Sequence, residues 1–103
     1  MATGRLGAAD VVAVTNTTVY TVPSARVGTF TLSLCNRTTG VILVRVALSA
    51  TATPALTEWI EFDASLPANG ILERSGLVLD ATKNLVVYTS AAGVSAVAFG
   101  FEE

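Results

Sequence analysis

Apolar and polar residues alternate along much of this chain, in short runs separated by turn-forming residues. The clearest run covers residues 27–35, where Phe30, Leu32 and Leu34 fall on one face and Thr29, Thr31, Ser33 and Cys35 on the other. A period of two marks a β-strand, because successive side chains leave opposite faces of the pleat. The same reading places further strands at about 10–15, 17–22, 41–49, 57–63, 71–79, 85–89 and 94–101. Asn16, Pro23-Ser24, Thr51-Ala-Thr-Pro54, the segment 65–70, Asp80 to Asn84 and Ala92-Gly93 separate them. The turn cluster Asn36-Arg-Thr-Thr-Gly40 predicts a hairpin between the third and fourth strands. Gly76, inside the run 71–79, predicts a bulge or bend.

The fourth strand is apolar on both faces. Ile42, Val44, Val46 and Leu48 share one, and Val41, Leu43, Arg45 and Ala47 the other. Such a strand lies centrally in its sheet or beneath another subunit. On the fifth, Ile60 and Phe62 share a face with Glu58, and Trp59 with Glu61 and Asp63.

Thr, Val, Gly and Ser suit strands and turns better than helices, and the runs recur at a spacing of about ten residues. The fold class this implies is all-β: a single antiparallel β-sandwich, jelly-roll or immunoglobulin-like, of about eight short strands. Residues 10–103 form that domain. Residues 1–9, with Gly4, Gly7, Ala8 and Ala9, read as a flexible N-terminal arm that either frays or orders against a neighbour.

Composition adds a constraint on the surface. Of the 103 residues, 51% are hydrophobic and only 14% charged, against about 25% charged in an ordinary soluble domain. Charge normally keeps proteins apart, so such a neutral surface is expected to be buried in part against partners. The six basic residues are scattered and the net charge is −2, which gives no footprint for nucleic acid. Arg45 interrupts the apolar run Val41–Val44, and no stretch approaches the roughly 20 apolar residues of a membrane-spanning helix. The first residues lack the apolar core of a secretory signal, so folding in a cytoplasm is expected. Cys35 is the single cysteine and can form no internal disulfide.

The inventory of reactive groups is sparse. There is no histidine, so the commonest general base and transition-metal ligand is missing and Cys35 has no activating partner. Zinc through Cys and His sets is excluded, and no cofactor is implied. Glu61 and Asp63 on one strand face would stand about 7 Å apart, a carboxylate spacing used in glycoside hydrolysis. The same spacing arises on any exposed strand with two alternating acids. Glu58, Glu61, Asp63 and Glu73 could also attract calcium, although no loop shows the clustered Asp/Asn/Gly pattern. Phosphate-binding and serine-hydrolase motifs are absent. Asn16-Thr-Thr18 and Asn36-Arg-Thr38 match the glycosylation acceptor pattern, which carries no weight without a secretory route. Tyr20, Tyr88 and Trp59 could build a sugar-binding platform; three aromatics on separate strands are otherwise core or interface residues.

Two segments and the chain end carry a resemblance. Thr18-Val-Tyr-Thr-Val-Pro23 leads into Phe30-Thr-Leu-Ser-Leu-Cys-Asn36. Ile71-Leu-Glu-Arg-Ser-Gly-Leu-Val-Leu79 precedes Leu85-Val-Val-Tyr88, and Phe99-Gly-Phe-Glu-Glu103 closes the chain. Over residues 11–103 this order resembles small virion structural proteins of tailed bacteriophages. The resemblance implies a non-enzymatic β-sandwich made in the host cytoplasm and placed on the capsid surface or in the tail. It implies partners in copies of itself, as a homodimer or homotrimer, and in the major capsid protein or other virion proteins.

The function expected is that of a capsid decoration, or cement, protein. The alternatives are a tail, baseplate or fibre module and a carbohydrate-binding module. The residues expected at an interface are Arg45, Trp59 and Arg74. Arg45 stands on an apolar strand face and is expected to pair with an acid on a neighbour. Trp59 is the aromatic anchor, unless it belongs to the core. Arg74, beside Glu73, is expected to reach across an interface.

Overall fold

The computed structural model describes residues 3–103. The alternating runs form eight strands: β1 (Thr3–Asp10), β2 (Thr17–Thr21), β3 (Gly28–Asn36), β4 (Ile42–Ser49), β5 (Trp59–Leu66), β6 (Ile71–Leu79), β7 (Asn84–Thr89) and β8 (Val94–Glu102). A single 3-10 turn, Leu56–Glu58, precedes β5. The strands make two four-stranded antiparallel sheets, β1-β8-β3-β6 and β2-β7-β4-β5. We call these sheet A and sheet B. Strand pairing runs first with last and inward from there, which is the winding of an eight-stranded jelly roll. The expected all-β sandwich is therefore present.

The core lies between the sheets. Phe30, Leu32, Leu34, Leu77 and Leu79 face inward from sheet A, and Ile42, Val44, Val46, Leu85 and Val87 from sheet B. Each such side chain contributes about 1.5–3 kcal/mol by leaving water. β4 is an interior strand of sheet B, which accounts for its apolar character on both faces.

Three expectations need correction. The hairpin between the third and fourth strands does not form, because β3 lies in sheet A and β4 in sheet B. The turn residues reverse the chain as expected, but both edges of β3 are taken by β6 and β8. Among the described residues, only the connection from β4 to β5 stays within a sheet.

Residues 3–10, read as part of a flexible arm, are strand β1, paired along its length with β8; residues 1–2 of that segment lie outside the described residues. Its small residues are what let it dock. A Cβ on Gly7 would meet the Val19 carbonyl oxygen at 2.2 Å, so only glycine allows β1 to cross β2 this closely. The first expected strand, 10–15, is instead the crossover between the sheets. There Val11 is buried, its N–H donating to the Val94 carbonyl, and the Val14 N–H donates to that of Thr89.

The expected bulge in the sixth strand is present. Register slips between Phe30 and Leu32 where they face β6, and Gly76 takes φ +70°, a left-handed conformation that glycine adopts without penalty.

Asn36 closes the end of the sandwich where these crossings occur. It is fully buried. Its amide nitrogen donates to the carbonyls of Gly40 (2.8 Å), Leu66 (3.2 Å) and Pro67 (3.0 Å). Its Oδ1 accepts from the Thr38 N–H (2.9 Å) and hydroxyl (2.7 Å). The acceptor-pattern asparagine Asn36 is thus an internal staple between two turns, committed on every polar atom. Replacing it orphans several buried backbone groups, at about 1–3 kcal/mol each where water cannot reach them. Asn36→Ala is expected to lose about 3 kcal/mol, read by urea unfolding. A loss below about 1 kcal/mol would mean that water replaces the amide there.

Candidate interaction surface

Sheet B carries its chemistry on its outer face, and strand irregularity creates it. Val44 pairs with Ala64 and Val46 with Glu61, so Phe62 and Asp63 together oppose Arg45. Asp63 takes φ +53°, the left-handed turn by which a bulge re-aims its neighbours. Strict alternation would have put Phe62 and Asp63 on opposite faces. The bulge instead brings both to Arg45.

The Arg45 guanidinium lies 4.1 Å from the centre of the Phe62 ring and 4.5 Å from that of Tyr88. Its Nε and one terminal nitrogen donate to Asp63 Oδ1 (2.6 Å) and Oδ2 (3.3 Å). The planar cation is thus stacked on aromatic faces and forked onto a carboxylate, an arrangement that suits arginine and not lysine. Trp59 continues the cluster. It meets Phe62 edge-on, at 5.7 Å between ring centres and 75° between planes. That contact places Trp59 on this face, over the fully buried Ala47 with which it pairs in register, and it lies outside the core cluster.

Arg45 and Trp59 are therefore brought into one cluster, which sequence reasoning did not assemble because it left Phe62 on the opposite face. The charge of Arg45 is met within the chain by Asp63. Arg74 is placed elsewhere. It pairs in register with Leu32 and lies half-exposed at the open side of the sandwich, where Nη1 meets Glu61 Oε1 of the other sheet at 3.3 Å. Glu61 and Asp63, expected on one strand face, are turned apart by the bulge, one to Arg74 and one outward to Arg45. Of Tyr20, Tyr88 and Trp59, only the last two join the Arg45–Phe62 cluster on the outer face of sheet B, so the three build no common platform. Tyr20 is buried, and its hydroxyl donates to Glu102 Oε2 at 2.5 Å. Burial first, and then this bond and the carboxylate charge, push the Tyr20 phenol well above its ordinary range.

The ion pair Arg74–Glu61 joins β6 to β5, the two strands that end their sheets on one side of the sandwich. Charges on edge strands oppose pairing with the edge of another chain. The broad surfaces left are the two outer faces. Among the described residues no pocket opens, no group of His, Cys, Asp or Glu is arranged to hold a metal ion, and no helix is long and apolar enough to cross a membrane.

Glu58 holds the loop that leads into Trp59. Its carboxylate accepts from the N–H groups of Ala55 (2.7 Å) and Ala50 (3.0 Å) and from the Ser49 hydroxyl (3.0 Å). These bonds, the one from Ala55 foremost, hold it below the usual carboxylate range.

Two outcomes follow from this geometry. Thermal unfolding of Arg45→Lys is expected a few degrees below wild type, because lysine keeps the charge and loses both the fork and the stacking. Lys83→Met, which removes the surface pair with Asp80 and a minor attraction to Glu58, is expected to shift the midpoint much less; equal shifts in the two variants would deny the cluster a structural role. The second concerns pH. With its folded pKa depressed, Glu58 adds stability above its unfolded value of about 4.3, and that stability is lost as pH falls through the folded value. Below about pH 4.3, Glu58→Gln is expected to lose stability less steeply than wild type, measured by urea midpoints across the acid range.

Comparison of the chain with protein-family models, curated proteins and solved structures finds no match.

Proposed function

We propose that this chain is a structural virion protein: a decoration, or cement, module that binds a bacteriophage capsid shell and stabilises it through protein–protein contacts. The observation that carries this reading is the character of its outer faces. Phe62 and Leu43 on sheet B, and Phe99, Phe101, Val78 and Ile71 on sheet A, are all exposed. The chain around them is only 14% charged. Large apolar side chains on flat, sparsely charged faces suit packing against other proteins. Jelly rolls serve as capsid and lectin domains, and the segments similar to phage virion proteins favour the first. A cement module acts by mass action: it binds the assembled shell and not the loose subunits, and so shifts the equilibrium towards the shell. Many symmetric copies amplify a modest energy at each site.

The test is immunogold labelling of virions of the source phage with antibody raised against the recombinant chain. Label over the head is expected. Label on the tail alone would make the chain a tail, baseplate or fibre module, and unlabelled particles would overturn the virion reading. Binding of the chain to a glycan array, with unlabelled particles, would favour the carbohydrate-binding alternative.

A further inference from the structure

The outer face of sheet A is ordered into rows by the strand register. Across β1, β8, β3 and β6 the rows read Thr3, Phe101, Thr29, Val78; then Arg5, Phe99, Thr31 and the bulge at Ser75-Gly76; then Ala8, Val97, Ser33, Glu73; then Asp10, Ser95, Cys35, Ile71. Large side chains therefore line β8, and small hydroxyl residues line the equivalent positions of β3 beside it. Phe99 and Phe101 are 41% and 40% exposed, far above what core aromatics show. Arg5 and Glu73 stand on opposite edges of this face, and neither enters an ion pair among the described residues.

From this arrangement we infer that the outer face of sheet A is a self-association surface, on which a second copy of the chain packs face to face about a two-fold axis parallel to the strands. The inference rests on the assembly reading above and names the surface it uses. A two-fold in that direction lays β8 of each copy over β3 of the other and β1 over β6. Phe101 and Phe99 then fall over Thr29 and Thr31 of the second copy, large side chains against small. Arg5 falls over the Ser75-Gly76 bulge of the second copy, where little side chain stands in its way. It is then one row, about 7 Å, from Glu73 of that copy, within reach of an arginine.

A two-fold across the strands would instead stack β8 on β8 and β1 on β1 with the rows reversed, setting Arg5 over Ala8 of the second copy and leaving Glu73 on the opposite edge from either Arg5. Only the first axis brings Arg5 to Glu73, and that charge pair selects it. The four rows span about 19 Å by 25 Å, so two such faces bury on the order of 1,000 Å², at the threshold for a specific interface. Aligned sheets of this kind pack at about −30°. Edge-to-edge association at β5 and β6 is opposed by the ion pair there.

The experiment is sedimentation equilibrium of the wild type, Arg5→Glu, Glu73→Arg and the double variant. Circular dichroism serves as the fold control; both positions are exposed. Wild type is expected to be a dimer. Each single reversal places like charges together twice in the dimer and is expected to raise the dissociation constant about 100-fold. The double variant restores opposite charges and is expected to return to within about tenfold of wild type. A wild-type dimer unmoved by the single reversals, or a double variant no better than either, overturns this surface while leaving the assembly reading in place. A wild type that stays monomeric at all concentrations overturns the self-association itself, and head labelling of virions would then still support attachment to a shell.

Discussion

Each sheet of this protein is held flat against the other by a single apolar layer, and almost every connection crosses that layer. Strands adjacent in sequence sit in different sheets, apart from β4 and β5. The ladder partners are remote: β1 pairs with β8, and β3 with β6 and β8. Only β4 and β5 can pair locally, and the other strand pairs close only when the core does. Chains with such non-local pairing must close long loops before their contacts repay them.

The crossings create a second demand. Where a chain turns between sheets, its carbonyls leave the ladders, and they must find partners if they are buried. Asn36 answers this at one end by bonding three carbonyls of two turns at once. Glu58 does the corresponding work for the β4–β5 loop by accepting from two orphan N–H groups. Both side chains are spent on the backbone of the connections. Asn36 seats the turns at the ends of β3 and β5, and Glu58 leads the chain into Trp59.

The outer faces differ in what they leave available. On sheet B the aromatic cluster largely satisfies itself: Arg45 is clamped by Asp63, Phe62 and Tyr88. On sheet A, Arg5 and Glu73 at the two edges enter no ion pair among the described residues, and the exposed Phe side chains have no such aromatic neighbour. A surface that completes its own interactions resists rearrangement, and one that leaves opposite charges on opposite edges is complementary to a copy of itself.

The period-two alternation was enough to place most strands and the core residues, because a strand buried on one face must alternate wherever it lies. Runs such as Phe30-Thr-Leu-Ser-Leu34 show this directly, as does the bulge signalled by Gly76. What the alternation could not contain was the partner of each strand. The turn at Asn36–Gly40 looks the same whether the chain returns in one sheet or crosses to the other, and only the closing of the core decides between them. The same holds for β1, whose Gly7 looks like a strand breaker until β2 is laid against it at a distance no side chain permits. It holds again for the site, where the bulge at Asp63 abandons the alternation on which the reading depended. A local pattern records which side of a strand is dry. Which strands meet, and where register slips, is settled by packing between residues far apart in the chain.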